Sequence, residues 1–196
     1  MSQNIEIEFK NMLTKEEFNQ LKSHFHVNSS DFVKQENHYF DTLDFSLKSN
    51  SCALRIREKK GHFEMTLKQP HPEGLLETNQ LLSKEQAHAL LHGGQIMEGD
   101  VKTQILTMGV NTDAIQYFGS LQTDRVEFPY LEGLLVLDFS SYLNVQDYEV
   151  EYEVSDRDSG ESTFLNLLTE LNIPIRKSKN KVKRFYEEKK RQQHIE

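Results

Sequence analysis

The 196-residue sequence predicts an α+β protein in which eight antiparallel β-strands form one sheet and helices pack against it. Two observations lead to this class. Apolar and polar residues alternate with a period of two, as in strands that present different faces, and this alternation recurs in eight segments. Between some of these segments, apolar residues recur at helical spacing, and two such helices begin with a capping box.

The first strand is predicted at residues 5–10 and is followed by a helix. In an extended strand the apolar face carries Ile5, Ile7 and Phe9, and the opposite face carries Glu6, Glu8 and Lys10. Thr14-Lys15-Glu16-Glu17 has the form of a capping box, in which a hydroxyl and a carboxylate three residues apart cap the first helical turn. We therefore expect a helix of about three turns after this strand.

Four further strands are predicted before the middle of the chain, at residues 38–41, 53–57, 63–68 and 75–82. Lys60-Gly61-His62 separates two of them as a hairpin turn, and the segment 69–74 forms a second turn. Because the connections are short, we expect the strands to pair in sequence as an antiparallel meander.

The rest of the chain is also predicted to alternate between helices and strands. A second capping box begins at Ser83, and its helix ends at Gly93-Gly94. Residues 95–117 are predicted to form one or two short helices. Strands follow at 121–127, 134–139 and 148–154, then a helix at 162–171 and a basic tail at 176–191. Since no linker or composition shift divides the chain, residues 1–196 are predicted to be a single domain.

Composition excludes several classes of function. A net charge of −8 argues against binding of duplex nucleic acid through a broad basic face. The single cysteine, Cys52, excludes an internal disulfide, and no apolar run approaches the roughly 20 residues of a membrane-spanning helix. The eight histidines lack metal-binding spacing, which argues against zinc. We expect a cytoplasmic protein without membrane contact, and the sequence gives no indication of its oligomeric state.

Charged residues recur on the polar faces of nearly every predicted strand. Eight strands could form an open sheet with a solvated polar face, or a small closed barrel whose interior would hold these charges. Burying uncompensated ions costs several kcal/mol each, so a closed barrel would need water and a ligand. Carboxylates favour Mg²⁺ or Mn²⁺, while arginine and lysine pair with phosphate oxygens. The mixture indicates a metal-bound polyphosphate.

Several ordered motifs carry a resemblance to the CYTH superfamily, also called triphosphate tunnel metalloenzymes. Glu6-x-Glu8-x-Lys10 resembles the ExExK signature of that family. His38 to Thr42 is similar to its YYDT element, and residues 53–57 and 66–70 are similar to its LRxR and TLKxP strands. Acidic and basic residues on the later strands follow in the family's order, so the resemblance spans residues 5 to about 186.

The resemblance implies a closed eight-stranded antiparallel barrel, or tunnel, with helices outside and a linear triphosphate bound with a divalent cation inside. The implied metal ligands are Glu6, Glu8, Glu77, Asp138 and one of two pairs, either Glu149 with Glu151 or Glu151 with Glu153. The implied phosphate contacts are Lys10, Arg55, Arg57, Lys68 and Arg125. Cross-strand ion pairing is the alternative role for any single one of these charges.

The resemblance also implies that one lysine and one tyrosine act at the reaction site. Asn180 to Arg184 resembles the family's SKxxR element with asparagine in place of serine, which makes Lys181 the first candidate for a phosphate-binding or catalytic lysine and Lys179 the second. Tyr39 would contact phosphate or shape the site, with ordinary strand packing as its alternative role.

The function that these residues favour is hydrolysis of a linear triphosphate with Mg²⁺ or Mn²⁺. The substrate would be inorganic tripolyphosphate, thiamine triphosphate or a nucleoside triphosphate. Two alternatives stay open: an adenylyl cyclase of the class IV type, in which the ribose 3′-hydroxyl replaces water, and a non-catalytic module that binds polyphosphate or nucleotides.

Overall fold

The structure, a computed structural model, describes residues 2–193 of the chain and the side chains of residues 3–192. Its eight strands are β1 (Ser2–Leu13), β2 (Val33–Thr42), β3 (Ala53–Lys59), β4 (His62–His71), β5 (Gly74–Leu82), β6 (Ile115–Tyr130), β7 (Gly133–Tyr142) and β8 (Val145–Val154). Its six α-helices are α1 (Lys15–His24), α2 (Ser46–Ser49), α3 (Lys84–Leu91), α4 (Asp100–Thr107), α5 (Arg157–Glu170) and α6 (Lys181–Gln193).

The strands form a closed antiparallel barrel in the order β1-β5-β4-β3-β2-β6-β7-β8, which confirms the predicted fold class. The expectation that all strands pair in sequence was wrong for β1, which pairs with β5 and β8 instead of β2. Residues 14–32, which include α1, are too long for a hairpin turn and leave β1 free to pair elsewhere. A closed barrel has no unpaired edge strand, and the pairing of β1 with both β5 and β8 is part of this closure.

Two other local expectations differ from the structure. The predicted helical segment 95–117 contains α4, but its last residues belong to β6, which begins at Ile115. Ile5 was expected to be covered on the apolar face of β1, yet it is 41% exposed, whereas Phe9 on the same face packs against Phe164 with ring centroids 6.2 Å apart.

The chain folds into two compact units. The first unit contains the residues up to Glu6 together with Gln35–Leu121, and the second contains Ile7–Lys34 together with the residues from Gln122 onward. In the first unit, the apolar faces of the strands pack against α3 and α4 through Ile56, Met65, Leu67, Ala87, Leu90, Val101 and Ile105. In the second, they pack against α1 and α5 through Leu135, Leu137, Val150, Phe18, Leu21, Phe164 and Leu167.

The turn between β3 and β4 fixes which residues of the first unit share a face. Lys60 and Gly61 have φ values of 52° and 76°, as a two-residue type I′ hairpin requires, and Lys59 pairs with His62 across it. This register places Arg57 opposite Glu64 and Arg55 opposite Thr66. The residues predicted for the polar faces of β3 and β4 therefore lie on the same face of the sheet.

None of the helices within residues 2–193 combines the length and the hydropathy that a membrane-spanning helix needs.

Replacing Glu17 by alanine is expected to destabilise the protein by about 1–2 kcal/mol at neutral pH. Its carboxylate accepts hydrogen bonds from the Thr14 amide at 2.8 Å and from Arg176 at 2.7 and 2.9 Å. The Arg176 hydrogen bonds are the main reason why the pKa of Glu17 is lowered. Stability linked to a lowered carboxyl pKa is present above the unfolded pKa of about 4.3 and is lost as the pH falls through the folded pKa.

Urea unfolding of wild type and Glu17→Ala at pH 7 and below pH 4 measures this dependence. The difference in the free energy of unfolding should be largest at pH 7 and should shrink at the acidic pH. Glu16→Ala, at an exposed position in the same helical turn, is the matched control and should change stability little at either pH. A Glu17→Ala deficit that is the same at both pH values would contradict the ion-pair explanation.

Candidate functional site

The second unit buries an arginine against two carboxylates. Arg125 on β6 lies directly opposite Asp138 on β7. Its Nε and Nη2 donate to the two carboxylate oxygens of Asp138 at 2.7 and 2.6 Å, and Nη2 also donates to Oε2 of Glu151 at 2.7 Å. Burial alone would lower the pKa of Arg125, but the two carboxylates outweigh burial and hold that pKa well above its usual value. The bidentate pair fixes the guanidinium plane.

Three buried carboxylates surround the ammonium group of Lys181, the first residue of α6. Its Nζ lies 2.8 Å from Oδ2 of Asp138, 2.8 Å from Oε2 of Glu149 and 2.5 Å from Oε1 of Glu151. We call these three carboxylates the acidic cluster. Asp138, Glu149 and Glu151 are only 0%, 1% and 4% exposed. The acidic cluster is thus a site of concentrated negative charge whose compensation comes from Lys181 and Arg125.

The protonation states of Lys181, Glu149 and Glu151 depend on two opposing effects. Burial disfavours their charged forms, and neighbouring opposite charges favour them. Burial would lower the pKa of Lys181 and raise that of Glu151, since it disfavours both charged forms. The opposite charges outweigh burial, so the pKa of Lys181 is well above and that of Glu151 well below the usual value. The pKa of Glu149 is also lowered, because Lys181 and Arg184 outweigh its burial. The lysine and both glutamates are therefore charged at neutral pH.

Three residues that were not predicted to bind metal or phosphate complete the surroundings of Glu149, although one of them, Arg184, is the arginine of the SKxxR-like element. Ser178 Oγ donates to Oε1 of Glu149 at 2.6 Å, and Arg184 Nη2 donates to Oε2 at 2.8 Å. Arg184 Nε also donates to Asp147 at 3.0 Å. Asp147 continues the period-two series of glutamates on β8, and Arg184 lies one helical turn after Lys181, so both patterns were signals in the sequence.

Glu8 and Lys10 on β1 belong to the same polar face. Lys10 forms an ion pair with Glu8 and lies directly opposite Glu151 in the pairing of β1 with β8. Burial would lower the pKa of Lys10, but Glu8, Glu151 and Glu149 together raise it. The structure therefore brings these two predicted residues next to the acidic cluster.

Two predicted residues lie at the margin of this arrangement. The side chain of Glu153 is 30% exposed, and its Oε1 is 3.9 Å from Nη1 of Arg125. Lys179 is 55% exposed, and its ammonium group pairs with Glu187 at 2.7 Å. Of the alternatives left open by the sequence, the geometry groups Glu149 with Glu151, and Lys181 with the carboxylates.

The first unit contains a basic set with its own carboxylates. Lys68 on β4 lies directly opposite Glu77 on β5, with Nζ 2.7 Å from Oε1, and forms a second ion pair with Glu6. The pKa of Glu77 is lowered, because Lys68, Arg55 and Arg57 outweigh its burial. Lys68 therefore pairs with two of the predicted metal ligands of the first unit.

The two arginines of β3 face their neighbours on β2. Arg57 lies opposite Asn37 and donates from Nε to its Oδ1 at 3.1 Å. Arg55 lies opposite Tyr39, which is 4% exposed. Within the described part of the chain, Nε of Arg55 is buried and has no hydrogen-bond partner. A buried guanidinium N–H without a partner is costly, and an anionic oxygen is the group best suited to satisfy it.

The donor groups fit the two ligands that the sequence predicted. Mg²⁺ and Mn²⁺ prefer oxygen ligands, and the acidic cluster of the second unit supplies three buried carboxylates for such an ion. The arginines of the first unit supply a cationic surface with an unsatisfied donor, which fits a phosphate oxygen. The second unit thus carries carboxylates suited to a divalent cation, and the first unit carries arginines suited to phosphate oxygens.

Comparisons with known proteins find similarity along nearly the whole chain. A family model described as "CYTH domain" matches residues 4–186. A curated protein of Bacillus subtilis (strain 168), named "Putative triphosphatase YjbK", is 52% identical over 191 residues, which cover 97% of this chain and 99% of that protein.

Solved structures show the same fold. A crystal structure from Bacillus halodurans, described as a "putative adenylate cyclase", is 44% identical with a TM-score of 0.92, and the match covers 95% of this chain and 100% of that chain. A Hippeastrum protein, described as "Putative adenylyl cyclase HpAC1" with "a dominant triphophatase activity", has a TM-score of 0.80 over 93% of this chain and 96% of its own. At 21% identity, the second shows the fold alone.

Proposed function

The chain belongs to the CYTH family, and we propose that it is a metal-dependent hydrolase of a linear triphosphate. The observation that carries the proposal is the acidic cluster: three buried carboxylates that pair with Lys181 and Arg125. The name of the Bacillus subtilis relative supports the same reaction class at 52% identity over nearly the full length of both chains.

The acidic cluster is the proposed binding set for Mg²⁺ or Mn²⁺. Glu8 lies next to it through the ion pair with Lys10, and Glu153 lies at its margin. In the first unit, Glu6 and Glu77 are the corresponding carboxylates. When bound, the metal would neutralise negative charge on phosphate oxygens.

The side chains of this protein are proposed to bind and orient the phosphates. Arg55 offers a buried Nε with no partner among the described residues, and Arg57 is oriented by Asn37. Together with Lys68, they would hold oxyanions and the charge that develops on them, which is most of what phosphoryl transfer needs. Tyr39, opposite Arg55, would limit the space around the bound phosphate.

The reaction is the hydrolysis of a phosphoanhydride bond. A water oxygen bonds to a terminal phosphorus, the bond from that phosphorus to its bridging oxygen breaks, and the bridging oxygen leaves with the remaining diphosphate. The water proton is released to solvent or to the leaving group. In the metal-free protein, carboxylate neighbours raise the pKa values of Lys10, Lys181 and Arg125, so these side chains supply positive charge beside the acidic cluster.

A substrate panel tests this proposal. Purified protein should release phosphate from at least one of tripolyphosphate, thiamine triphosphate and the nucleoside triphosphates when Mg²⁺ or Mn²⁺ is present, and EDTA should abolish that release. Phosphate release from none of them, with either metal, would refute the hydrolase assignment.

Adenylyl cyclase is the second candidate, since the Bacillus halodurans structure at 44% identity is described as one. With ATP, a cyclase yields cyclic AMP and pyrophosphate, whereas a hydrolase yields free phosphate, so product analysis separates the two. A non-catalytic binder would instead show triphosphate-dependent thermal stabilisation without any product. A small triphosphate as partner, the absence of duplex nucleic acid and membrane partners, and the cytoplasmic location stay predictions.

A further inference from the structure

Three potential metal ligands meet on the first unit, on the strand face opposite to Arg55 and Arg57. Glu36 and His38 lie two residues apart on β2, and Glu58 lies on β3 directly opposite Glu36. One donor atom from each of the three lies within 4.8 Å of the others. We call this group the β2–β3 triad. Successive side chains of a strand point to opposite faces, so the β2–β3 triad lies on the other face of these strands from Arg55 and Arg57, the proposed phosphate contacts.

His38 is the buried member of the triad and has an unsatisfied ring nitrogen. It is 7% exposed, and its ring packs near that of Tyr117 with centroids 6.1 Å apart. Among the described residues, its buried Nδ1 has no hydrogen-bond partner. Buried polar atoms are normally satisfied, so an orphaned ring nitrogen on a histidine grouped with two carboxylates indicates a missing ligand.

The two glutamates add a second reason to expect a cation. Like charges placed directly opposite each other on neighbouring strands repel, and Glu36 and Glu58 occupy such a pair. A divalent cation bound by one ring nitrogen of His38 and by the two carboxylates would relieve this repulsion.

We propose that Glu36, His38 and Glu58 form a second divalent-metal site, selective for Zn²⁺ and distinct from the acidic cluster. One imidazole nitrogen and two carboxylates supply three protein ligands, and water would take the fourth tetrahedral position. An imidazole ligand favours Zn²⁺ over Mg²⁺, whereas the acidic cluster offers only oxygen.

Small side-chain rotations are enough to assemble this site. Zinc bonds of about 2.0–2.2 Å place tetrahedral donors about 3.3 Å apart, and the three donors already lie within 4.8 Å of one another. Both glutamates are half-buried and retain freedom to turn toward His38.

The sequence argued against a zinc site, because no pair of histidines has metal-binding spacing. The structure shows why that criterion missed this group. The triad contains one histidine, His38. Glu36 is two residues away on the same strand, but Glu58 joins the group only through the register of β2 with β3. A search along the chain has no access to that register.

Zinc titration in excess Mg²⁺ tests the proposal, because Mg²⁺ occupies oxygen sites but competes poorly for an imidazole site. A chromogenic chelator reports the affinity and the number of Zn²⁺ ions bound by wild type, His38→Gln, Glu58→Gln and the control His62→Gln. His62 is exposed at the start of β4 and lies outside the triad. We expect one Zn²⁺ in wild type and in His62→Gln, and a loss of affinity of at least about tenfold in the two triad variants.

The titration separates this site from the triphosphatase proposal, because it requires no substrate. Glu58→Gln should retain Mg²⁺-dependent phosphate release at the wild-type rate. Equal zinc affinity in wild type and Glu58→Gln would overturn the proposal, as would zinc binding that His62→Gln weakens to the same extent. If circular dichroism shows that His38→Gln does not fold, Glu36→Gln replaces it, since its side chain is only half-buried.

Discussion

Replacing Arg55 by glutamine is expected to lower kcat/KM for triphosphate hydrolysis by about 10²- to 10³-fold, the usual cost of removing one donor to a developing anion. Among the described residues, Nε of Arg55 is buried without a partner. Its hydrogen-bonding capacity is therefore available to a ligand. Arg57, by contrast, is already oriented by Asn37. The shorter and neutral glutamine side chain cannot supply the bidentate charged donor.

The same reasoning predicts the effect on stability. Removal of Arg55 eliminates an unsatisfied buried donor but also a charge that lowers the pKa of Glu77, so Arg55→Gln should unfold at a temperature close to that of wild type in the absence of substrate. Initial rates across a substrate series, paired with thermal unfolding, measure both quantities. Arg191→Gln is the control, since Arg191 is 62% exposed and pairs with Glu188. Wild-type kinetics in Arg55→Gln would show that this arginine does not bind the phosphates.

Local alternation was sufficient to predict which residues share a strand face. The period of two is a property of each strand, so the polar faces of β1, β3, β4 and β8 follow from the sequence without knowledge of pairing. In the second unit, the register then places Lys10 opposite Glu151 and Asp138 opposite Glu149, as shared faces require. Local alternation could not predict strand pairing, because the contacts of β1 with β5 and β8 join residues that are distant in sequence.

The choice between neighbouring candidates also depended on tertiary structure. Glu149, Glu151 and Glu153 share one strand face and are equivalent by period. Burial separates them, because Lys181 contacts the first two and Glu153 is 30% exposed. In the same way, only the start and direction of α6 decide that Lys181, and not Lys179, reaches the acidic cluster. These are consequences of packing, which no local pattern encodes.

Replacing Lys181 by methionine is expected to destabilise the metal-free protein by about 3–5 kcal/mol, the cost of removing one partner of a buried ion pair. The ammonium group lies within 2.8 Å of all three carboxylates of the acidic cluster. Methionine fills a similar volume without charge. Arg125 would then be the main remaining counter-charge for Asp138 and Glu151.

Two titrations identify the cause of this loss. Mg²⁺ or Mn²⁺ bound to the acidic cluster would replace the missing charge, so the metal should stabilise Lys181→Met more than wild type. Acid should also reduce the difference between the two proteins. In wild type, the lowered pKa values of Glu149 and Glu151 provide stability above the unfolded pKa of about 4.3, and this contribution is lost as the pH falls through the folded values.

Lys183→Met is the matched control, because it removes the same charge from the same helix at an exposed position. Urea unfolding of both variants with EDTA, and then with increasing metal, distinguishes two roles for Lys181. If it neutralises the acidic cluster, only Lys181→Met loses stability, and metal restores that stability. If Lys181 serves the phosphates alone, Lys181→Met should lose activity without a loss of metal-free stability, and that outcome would contradict the structural role that its three ion pairs predict.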